Sequence, residues 1–407
     1  MTDTQSRAVR GASPILPIAN RAQALDLARQ LVPRIRARAE RTEQERRIPQ
    51  ETLHELLDAG LFNIATPRTY QGADLGFAAL AEVTATIAAA CGSTGWVYGV
   101  LTGHAWMTAL FPPETQAEVF ANPRALVGSV FRLSGKTIPV PGGYRLTGAE
   151  GRFCSGVDFS DWVVVGNAVQ RPDALPEPRF LLVPRQDIEI VDDWFTAGMR
   201  GTGSRTIRIA DAFVPEHRTV LTGDLMKGAS PGARHHGAGH FSVPFAVGQP
   251  FSLIGAPLGM ARGALDTLAA SLGEKLSAMS PEQAGEQGAL YVRIAEAAAQ
   301  IDAAEALVLR DASWLDELRE PAALAPLDVA RIHRDLAYAA QACRYATTSL
   351  FEAAGGSGIY NSSTLQRFWR DANCATAHAA FNWDGAATGF GRARLGVAPS
   401  RFAGGRR

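Results

Sequence analysis

The chain has 407 residues, of which 46% are hydrophobic, and its 40 basic side chains balance 40 acidic ones. This length suits two or three packed units of one globular subunit. A formal net charge of zero, without a long basic or acidic run, argues against nucleic acid or an anionic membrane surface as the main partner. No apolar run reaches the roughly 18 residues of a membrane span, and the N-terminus has no apolar signal core. The sequence therefore predicts a cytoplasmic protein.

A helical domain is predicted over residues 18–123, preceded by a flexible arm over residues 1–17. In the stretch IPQETLHELLDAGLF, apolar side chains recur every three or four positions, which is the spacing of one buried helical face. Two further helices are predicted over residues 77–91 and 96–111. The second of them is stopped by two consecutive prolines.

A β-rich domain is predicted over residues 124–222. Short runs rich in β-branched and aromatic residues alternate there with glycine, proline and asparagine. The runs are ALVGSVF, YRLTGAE, DWVVVGNAV, RFLLVP, IEIVDDW and TIRIADAFVP. Their spacing is typical of a compact antiparallel β-domain of about a hundred residues.

A glycine- and histidine-rich stretch over residues 223–241 is predicted to be a linker or a lid. Its three histidines, His235, His236 and His240, could hold a metal on a helix, but three nearby glycines favour a loop. No metal site is therefore predicted.

A C-terminal helical domain follows over residues 242–407. Its four helices are predicted at residues 253–272, 290–319, 328–353 and 365–382.

Familiar local motifs are missing. The four cysteines are far apart, without a CxxC pair, and are predicted to be reduced and mostly buried. The sequence has no P-loop, HExxH or true GxGxxG spacing. By themselves, the residues indicate an α+β protein of the size of an enzyme subunit.

Several separated stretches resemble the acyl-CoA dehydrogenases. They are PRTYQGADLG, GMRGTGSRTIRIADAFVPEH, APLGMARGALD and GGSGIYNSSTLQRFWRDANCATAHAAFN. The resemblance implies an N-terminal helical domain, a middle β-domain and a C-terminal four-helix bundle. The two positions that carry the catalytic glutamate in those enzymes are occupied here by Gln249 and Ala379, and neither can accept a proton as a carboxylate would. The R-x-x-F-G motif that holds the FAD pyrophosphate is also missing.

Another set of stretches is similar to the oxygenase components of two-component flavin-dependent monooxygenases, such as the 4-hydroxyphenylacetate and hydroxylated-steroid hydroxylases. These stretches are CGSTGWV, GHAW, GSVF, RFCSGVDFSDWVVVG and RDA followed by a histidine. The resemblance implies reduced FMN or FAD delivered by a separate NAD(P)H-flavin reductase, with O₂ as co-substrate. It implies a C4a-hydroperoxyflavin that hydroxylates an aromatic or polycyclic small molecule, and a homotetramer. The missing pyrophosphate motif favours FMN.

Flavin-binding residues follow from this resemblance. Ser129 would contact the edge of the flavin ring, Ser155 would lie near flavin N5, and Phe153 would flank the ring. Arg370 would face the flavin phosphate, or would belong to a structural or subunit-interface set of charges. For the two serines, the alternative is an ordinary turn residue.

Catalytic residues also follow from it. His378, expected on a helix, would be the base that removes a phenolic proton. His104 would orient a substrate hydroxyl or assist its deprotonation, the alternative being a capped or core histidine beside Trp106. Ser155 would hold the N5 hydrogen or the peroxide. The predicted pocket walls are Trp96, Tyr98, Phe241 and Phe245, and for each of them the alternative is plain core packing.

Two other functions remain open at this stage. One is an acyl-CoA dehydrogenase with a relocated base. The other is a non-catalytic protein that keeps a flavin fold as a scaffold.

Overall fold

The computed structural model describes residues 18–237, 239–318 and 324–397. The predicted arm over residues 1–17 lies outside the described residues. So do the last residue of the helix predicted over residues 290–319 and the end of the predicted C-terminal domain beyond residue 397. Among the described residues, no helix combines the length and the apolar character needed to span a membrane.

The N-terminal domain is helical, as predicted. Its helices are α1 (Arg21–Ala37), α2 (Ala39–Glu45), α3 (Gln50–Asp58), α4 (Phe77–Ala88), α5 (Gly92–Thr108) and α6 (Pro113–Phe120). Helix α5 is the central one, because nearly every one of its side chains is buried. It begins four residues earlier than predicted, since the extended backbone of Cys91 precedes its first turn. Gly95 is required there, because a Cβ would lie 2.4 Å from the Cβ of Ala88.

The middle domain is an eight-stranded sheet. Its strands are β1 (Val127–Val130), β2 (Lys136–Val140), β3 (Gly143–Cys154), β4 (Trp162–Arg171), β5 (Ala174–Pro184), β6 (Glu189–Val191), β7 (Arg205–Pro215) and β8 (Thr219–Leu221). The strand order is β6-β7-β3-β2-β4-β5-β8, with β1 beside β4. The prediction of an antiparallel domain is wrong for two pairings, because β1 and β2 both run parallel to β4. Strand β2 was not predicted, since its short sequence KTIPV includes a lysine and a proline.

The linker is packed rather than open. It contains α7 (Thr222–Met226), α8 (Pro231–His236) and a short 3₁₀ turn at His240–Ser242. Gly232 of α8 lies so close to α5 that a Cβ would meet the carbonyl oxygen of Ala109, and His236 Nε2 is 2.8 Å from the amide oxygen of Gln116. Among the described residues, no group of three His, Cys, Asp or Glu side chains could hold a metal ion. The segment is therefore docked on the N-terminal domain.

The C-terminal domain is built on three long helices. Its helices are α9 (Phe245–Gly248), α10 (Phe251–Ser277), α11 (Pro281–Gly285), α12 (Gly288–Asp316), α13 (Pro326–Ala353), α14 (Thr364–Ala375) and α15 (Trp383–Arg394). Helix α10 packs against α4 and α5 as well as against α12, α13 and α14. The two helical domains therefore share one apolar core, which fixes them around the sheet.

The helix predicted over residues 365–382 is wrong beyond residue 375. Helix α14 ends at Ala375, and α15 starts after Asn382, whose side-chain oxygen accepts a 3.4 Å hydrogen bond from the Gly385 N–H. Asparagine is a favoured N-cap because its short side chain satisfies a free amide of the first turn. His378 therefore lies on the connection between the two helices, with an extended backbone.

Candidate active site

A cavity of about 620 Å³ lies where the three domains meet. This volume is within the range of roughly 300–1,000 Å³ that small-molecule sites occupy. The lining residues are Trp96, Val100, His104, Ser129, Val130, Phe131, Arg152, Phe153, Ser155, Trp194, Thr196, Gly198, Met199, Thr202, Ser204, Gln249, Leu253, Cys374, Ala375, Ala377, His378 and Ala379. The wall is mostly apolar, with hydroxyl, indole and imidazole groups at a few points.

A β-bulge at the end of β3 shapes one wall. The pairing of β3 with β7 shifts between Gly151 and Cys154, and Phe153 has a left-handed φ of 68°. Bulges re-aim side chains, and such strained residues are common next to functional sites. Here the bulge leaves Phe153 69% exposed at the cavity while Cys154 is fully buried in the sheet core. The edge of the Phe153 ring meets Trp194, with ring centroids 6.1 Å apart.

Three hydrogen bonds in series connect Ser155 to the loop before β7, and a fourth connects it to α5. The Trp96 indole N–H donates to Ser155 Oγ at 3.1 Å, and Ser155 Oγ is 2.7 Å from Ser204 Oγ. Ser204 Oγ is in turn 2.7 Å from Thr202 Oγ1, which donates to the Met199 carbonyl oxygen at 2.9 Å. All three hydroxyl-bearing residues are buried. We call Ser155, Ser204 and Thr202 the hydroxyl chain.

Asp371 holds the loop at the end of the hydroxyl chain. Its Oδ1 accepts a 2.6 Å hydrogen bond from the Met199 N–H, and the Trp194 indole N–H donates to the Met199 carbonyl oxygen at 3.0 Å. Desolvation raises the pKa of the fully enclosed Asp371 carboxyl to about 6, although the Met199 hydrogen bond opposes this change. The RDA segment (residues 370–372) therefore supports, from outside the cavity, the part of the wall that Met199 forms.

His104 and Ser129 form a second polar pair. His104 Nδ1 is 2.7 Å from the Val127 carbonyl oxygen, so this nitrogen carries the proton. Burial lowers the pKa of His104 to about 4, and the imidazole is neutral near pH 7. Its Nε2 is therefore an acceptor, and the Ser129 hydroxyl, 2.9 Å away, donates to it. Because both ring nitrogens are engaged, His104 positions Ser129 and does not offer a free nitrogen to the cavity.

His378 faces the same cavity from the α14–α15 connection. Its ring lies edge-on to Trp96, with centroids 5.7 Å apart, and its Nδ1 accepts a 3.1 Å hydrogen bond from the Ala380 N–H. The ring is exposed to the cavity, but the surrounding walls displace bulk water, and this desolvation lowers the pKa of His378. The neutral ring therefore carries its proton on Nε2. In this tautomer His378 is a hydrogen-bond donor, and it accepts a proton only by giving up the Ala380 contact.

No carboxylate lines the cavity among the described residues. Gln249 and Ala379, which occupy the two positions of the acyl-CoA dehydrogenase glutamate, both line it. The site thus lacks the group that removes an α-proton from a thioester.

Four residues predicted to be at the site lie outside the cavity lining. Tyr98 is fully buried on the other side of α5, where its hydroxyl donates to the Leu61 carbonyl oxygen at 3.0 Å. Phe245 packs behind the wall, with its ring against those of Phe131 and Trp106.

The other two are also engaged elsewhere. Phe241 packs against His236 and His240 in the docked linker. Arg370 forms an ion pair with Glu43 at 2.6 Å and donates to the Ala197 carbonyl oxygen at 2.5 Å. Its guanidinium is therefore committed to bracing the loop before β7.

Several cavity residues were missed by the sequence reasoning. They include Arg152, Trp194, Thr202, Ser204 and Cys374. Thr202 and Ser204 lie within the recognised stretch GMRGTGS, whose two hydroxyl side chains were the available signal. Cys374 is exposed to the cavity, whereas the other three cysteines are buried free thiols.

Comparison with known proteins agrees with this geometry. Models described as the acyl-CoA dehydrogenase N-terminal and C-terminal domains match residues 20–125 and 252–383. The oxygenase component of an FADH₂-dependent resorcinol hydroxylase from Rhizobium sp. (strain MTP-10005) is 35% identical over 377 residues, covering 89% of this chain and 92% of that protein. The oxygenase component of p-hydroxyphenylacetate 3-hydroxylase from Acinetobacter baumannii is 29% identical, covering 92% and 89%.

A solved structure shows the same fold over almost the whole chain. The 3-HSA hydroxylase from Rhodococcus sp. RHA1 has a TM-score of 0.87 and 30% identity, covering 93% of this chain and 98% of that one. The fold defines a protein of the acyl-CoA dehydrogenase type. Within that class, the chain belongs to the family of oxygenase components of flavin-dependent monooxygenases.

Proposed function

We propose that the protein takes reduced flavin from a separate NAD(P)H-dependent reductase and uses O₂ to hydroxylate a phenolic small molecule. The observation that carries this proposal is the cavity itself, which is mostly apolar, is ringed by hydroxyl and imidazole groups, and has no carboxylate among the described residues that line it. An acyl-CoA dehydrogenase needs a base where Gln249 and Ala379 stand, so that alternative is disfavoured. The relatives named for resorcinol and p-hydroxyphenylacetate support a phenol as substrate.

The residues present fit a reduced isoalloxazine. Phe153 and Trp194 supply aromatic surface, and the remaining wall is largely aliphatic or aromatic. Ser129 and Ser155 supply hydroxyl oxygens at the cavity. When bound, reduced flavin would supply the two electrons that activate O₂, one atom of which enters the substrate while the other leaves as water. We assign Ser155 to the N5 side of the flavin ring and Ser129 to another part of its edge.

Exclusion of water is the second task of these walls. Reduced flavin that meets O₂ and loose protons yields hydrogen peroxide instead of product, so the site must be dry and closed. Trp96, Val100, Phe131 and Leu253 form apolar surface at the cavity. The hydroxyl protons of Ser129 and Ser155 are bound to His104 and Ser204, which limits the delivery of a proton at the wrong time.

His378 is assigned to the substrate oxygen. With its proton on Nε2, it donates a hydrogen bond to the oxygen of a phenolate that has lost its proton to solvent water before entering the cavity, and this is the form whose ring carbon is electron-rich. If His378 is instead the base, its ring must first release the Ala380 N–H. Substitution His378→Gln separates these roles, because an amide N–H can donate but cannot take a proton.

The hydroxylation assay decides between the two roles. His378→Gln should retain a substantial part of the coupled hydroxylation, whereas His378→Ala should bind reduced flavin but convert most of the O₂ to peroxide. Loss of coupling in both variants to the same extent would show that His378 acts as the base.

Three cheap measurements test the proposed function as a whole. The purified protein should be nearly colourless, should consume O₂ only when reduced flavin is supplied, and should not reduce a dye with an acyl-CoA. Yellow protein with acyl-CoA activity would identify a dehydrogenase, and inertness in both assays would identify a scaffold. The preference for FMN stays a prediction, and the relative that is an FADH₂-dependent resorcinol hydroxylase supports FAD instead. Parallel titrations with the two reduced flavins decide between them.

The homotetramer also stays a prediction. Light scattering of the purified protein measures it directly, because a tetramer of this 43.3 kDa chain has four times the monomer mass.

A further inference from the structure

One direction of the hydroxyl chain satisfies all of its hydrogen bonds, and the reverse direction loses one of them. The Met199 carbonyl oxygen can only accept a hydrogen bond, so the Thr202 hydroxyl donates its proton to that oxygen. Thr202 Oγ1 must then accept from Ser204, and Ser204 Oγ must accept from Ser155. Each hydroxyl has a single proton, so no proton is left over.

Ser155 is consequently an acceptor only. Its own proton is bound to Ser204, and the Trp96 N–H occupies one of its two lone pairs. One lone pair remains for a donor in the cavity. A ligand that presents an N–H at this point is satisfied, and a ligand that presents a lone pair there meets an oxygen that has no proton to give.

We propose that Thr202 and Ser204 are positioning residues that hold Ser155 as an acceptor, and that the site thereby prefers reduced over oxidised flavin. The inference rests on the proposed function, in which Ser155 lies beside N5. Reduced flavin carries a hydrogen on N5, whereas oxidised flavin has only a lone pair there. Buried sites discriminate strongly when one ligand leaves a polar group unpaired.

The end of the hydroxyl chain is anchored against reversal. Met199 is held in a left-handed conformation with φ 55°, and its N–H is bound to Asp371. Reversing the three hydroxyls would turn the Thr202 proton to Ser204, so the buried Thr202–Met199 hydrogen bond would be lost and two oxygen lone pairs would face each other at 2.9 Å. The loop and the RDA segment therefore fix the direction in which Ser155 points its proton.

The test compares the dissociation constants of oxidised and chemically reduced flavin, measured by fluorescence titration, the latter under anaerobic conditions. Thr202→Val removes the terminal acceptor while keeping the shape of the side chain, so Ser204 can turn its proton to Ser155 and release the Ser155 proton into the cavity. Thr202→Ser keeps the hydroxyl and serves as the conservative rescue. Ser160→Ala is the matched control. The buried Ser160 hydroxyl donates to the Gly156 carbonyl oxygen on the loop that carries Ser155, and it is not part of the hydroxyl chain.

Thr202→Val should lower the preference for reduced flavin about tenfold, the factor that one hydrogen bond of ordinary strength supplies. Thr202→Ser and Ser160→Ala should keep the wild-type ratio. An unchanged ratio in Thr202→Val, with a wild-type thermal midpoint, overturns the inference but leaves the proposed function standing. If Thr202→Val does not fold, Ser204→Ala replaces it with the same expectation. Wild-type protein that binds neither flavin form overturns both.

Discussion

Replacing Asp371 by asparagine should make the protein more stable at neutral pH. The Asp371 carboxyl is 3% exposed, and within the described part of the chain it accepts one hydrogen bond, from the Met199 N–H. An asparagine oxygen can accept the same bond without a charge. The substitution therefore removes the cost of burying an ionised group and keeps the contact that holds the loop.

The magnitude follows from the pKa. Desolvation raises the pKa of Asp371 to about 6 in the folded protein, from about 3.8 when unfolded. A difference of about 2 in pKa corresponds to about 3 kcal/mol. Because the folded pKa is the higher one, the stability of the wild type is fully present below about pH 4 and declines as the pH rises through 6. Asparagine does not titrate, so its advantage over aspartate should develop mainly between pH 4 and 7.

The assay is a series of thermal midpoints at different pH values for the wild type, Asp371→Asn and a matched control. The control is Asp316→Asn, because desolvation also raises the pKa of Asp316 to about 6. Asp316 accepts hydrogen bonds from the Phe77 and Ala78 N–H groups at the start of α4, away from the cavity lining. Both variants should gain stability relative to the wild type as the pH rises, although Asp316→Asn should start from a lower midpoint because its single amide oxygen replaces two accepting oxygens. Parallel curves for the wild type and Asp371→Asn across this range would refute the raised pKa.

Three further predictions concern side chains around the cavity. Phe153→Gly should not lower the thermal midpoint, because glycine adopts a φ of 68° without strain and the ring is 69% exposed, but flavin titration should show weaker binding. Tyr98→Phe should cost about 1–3 kcal/mol in urea unfolding, since the buried Leu61 carbonyl loses its donor, and should leave flavin binding unchanged. Because burial lowers the pKa of His104 to about 4, wild-type stability is complete above pH 6.5 and is lost as the pH falls towards 4. In His104→Gln the thermal midpoint should fall less between pH 6.5 and 4 than it does in the wild type. An equal fall in both proteins would contradict the lowered pKa of His104.

The order of the domains could be predicted from the sequence because periodicity and turn residues report it directly. Helical spacing stops near residue 123, and β-rich runs follow until residue 222, in agreement with the strands observed. The resemblance to a known family then placed His104, Ser129, Phe153 and Ser155 at one cavity, and the structure brings these four residues together.

The direction of individual side chains could not be predicted in the same way. Helix α5 is apolar on all sides, so its periodicity gives no buried face, and Trp96 and Tyr98 are two residues apart and point to opposite sides. Thr202 and Ser204 lie far from Ser155 in sequence, and only the pairing of β3 with β7 brings them within hydrogen-bond distance. Neither relation leaves a local pattern in the sequence.

The most direct measurement is a single turnover under ¹⁸O₂. Protein is mixed with one equivalent of chemically reduced flavin and a set of simple phenols, without any reductase, and the products are analysed by mass spectrometry. At least one phenol should gain one hydroxyl group that carries ¹⁸O. The yield of hydrogen peroxide should be lower by the same molar amount than in a reaction without the phenol. Full conversion of the oxygen to peroxide with every phenol, together with oxidation of an acyl-CoA by the same preparation, would contradict the account.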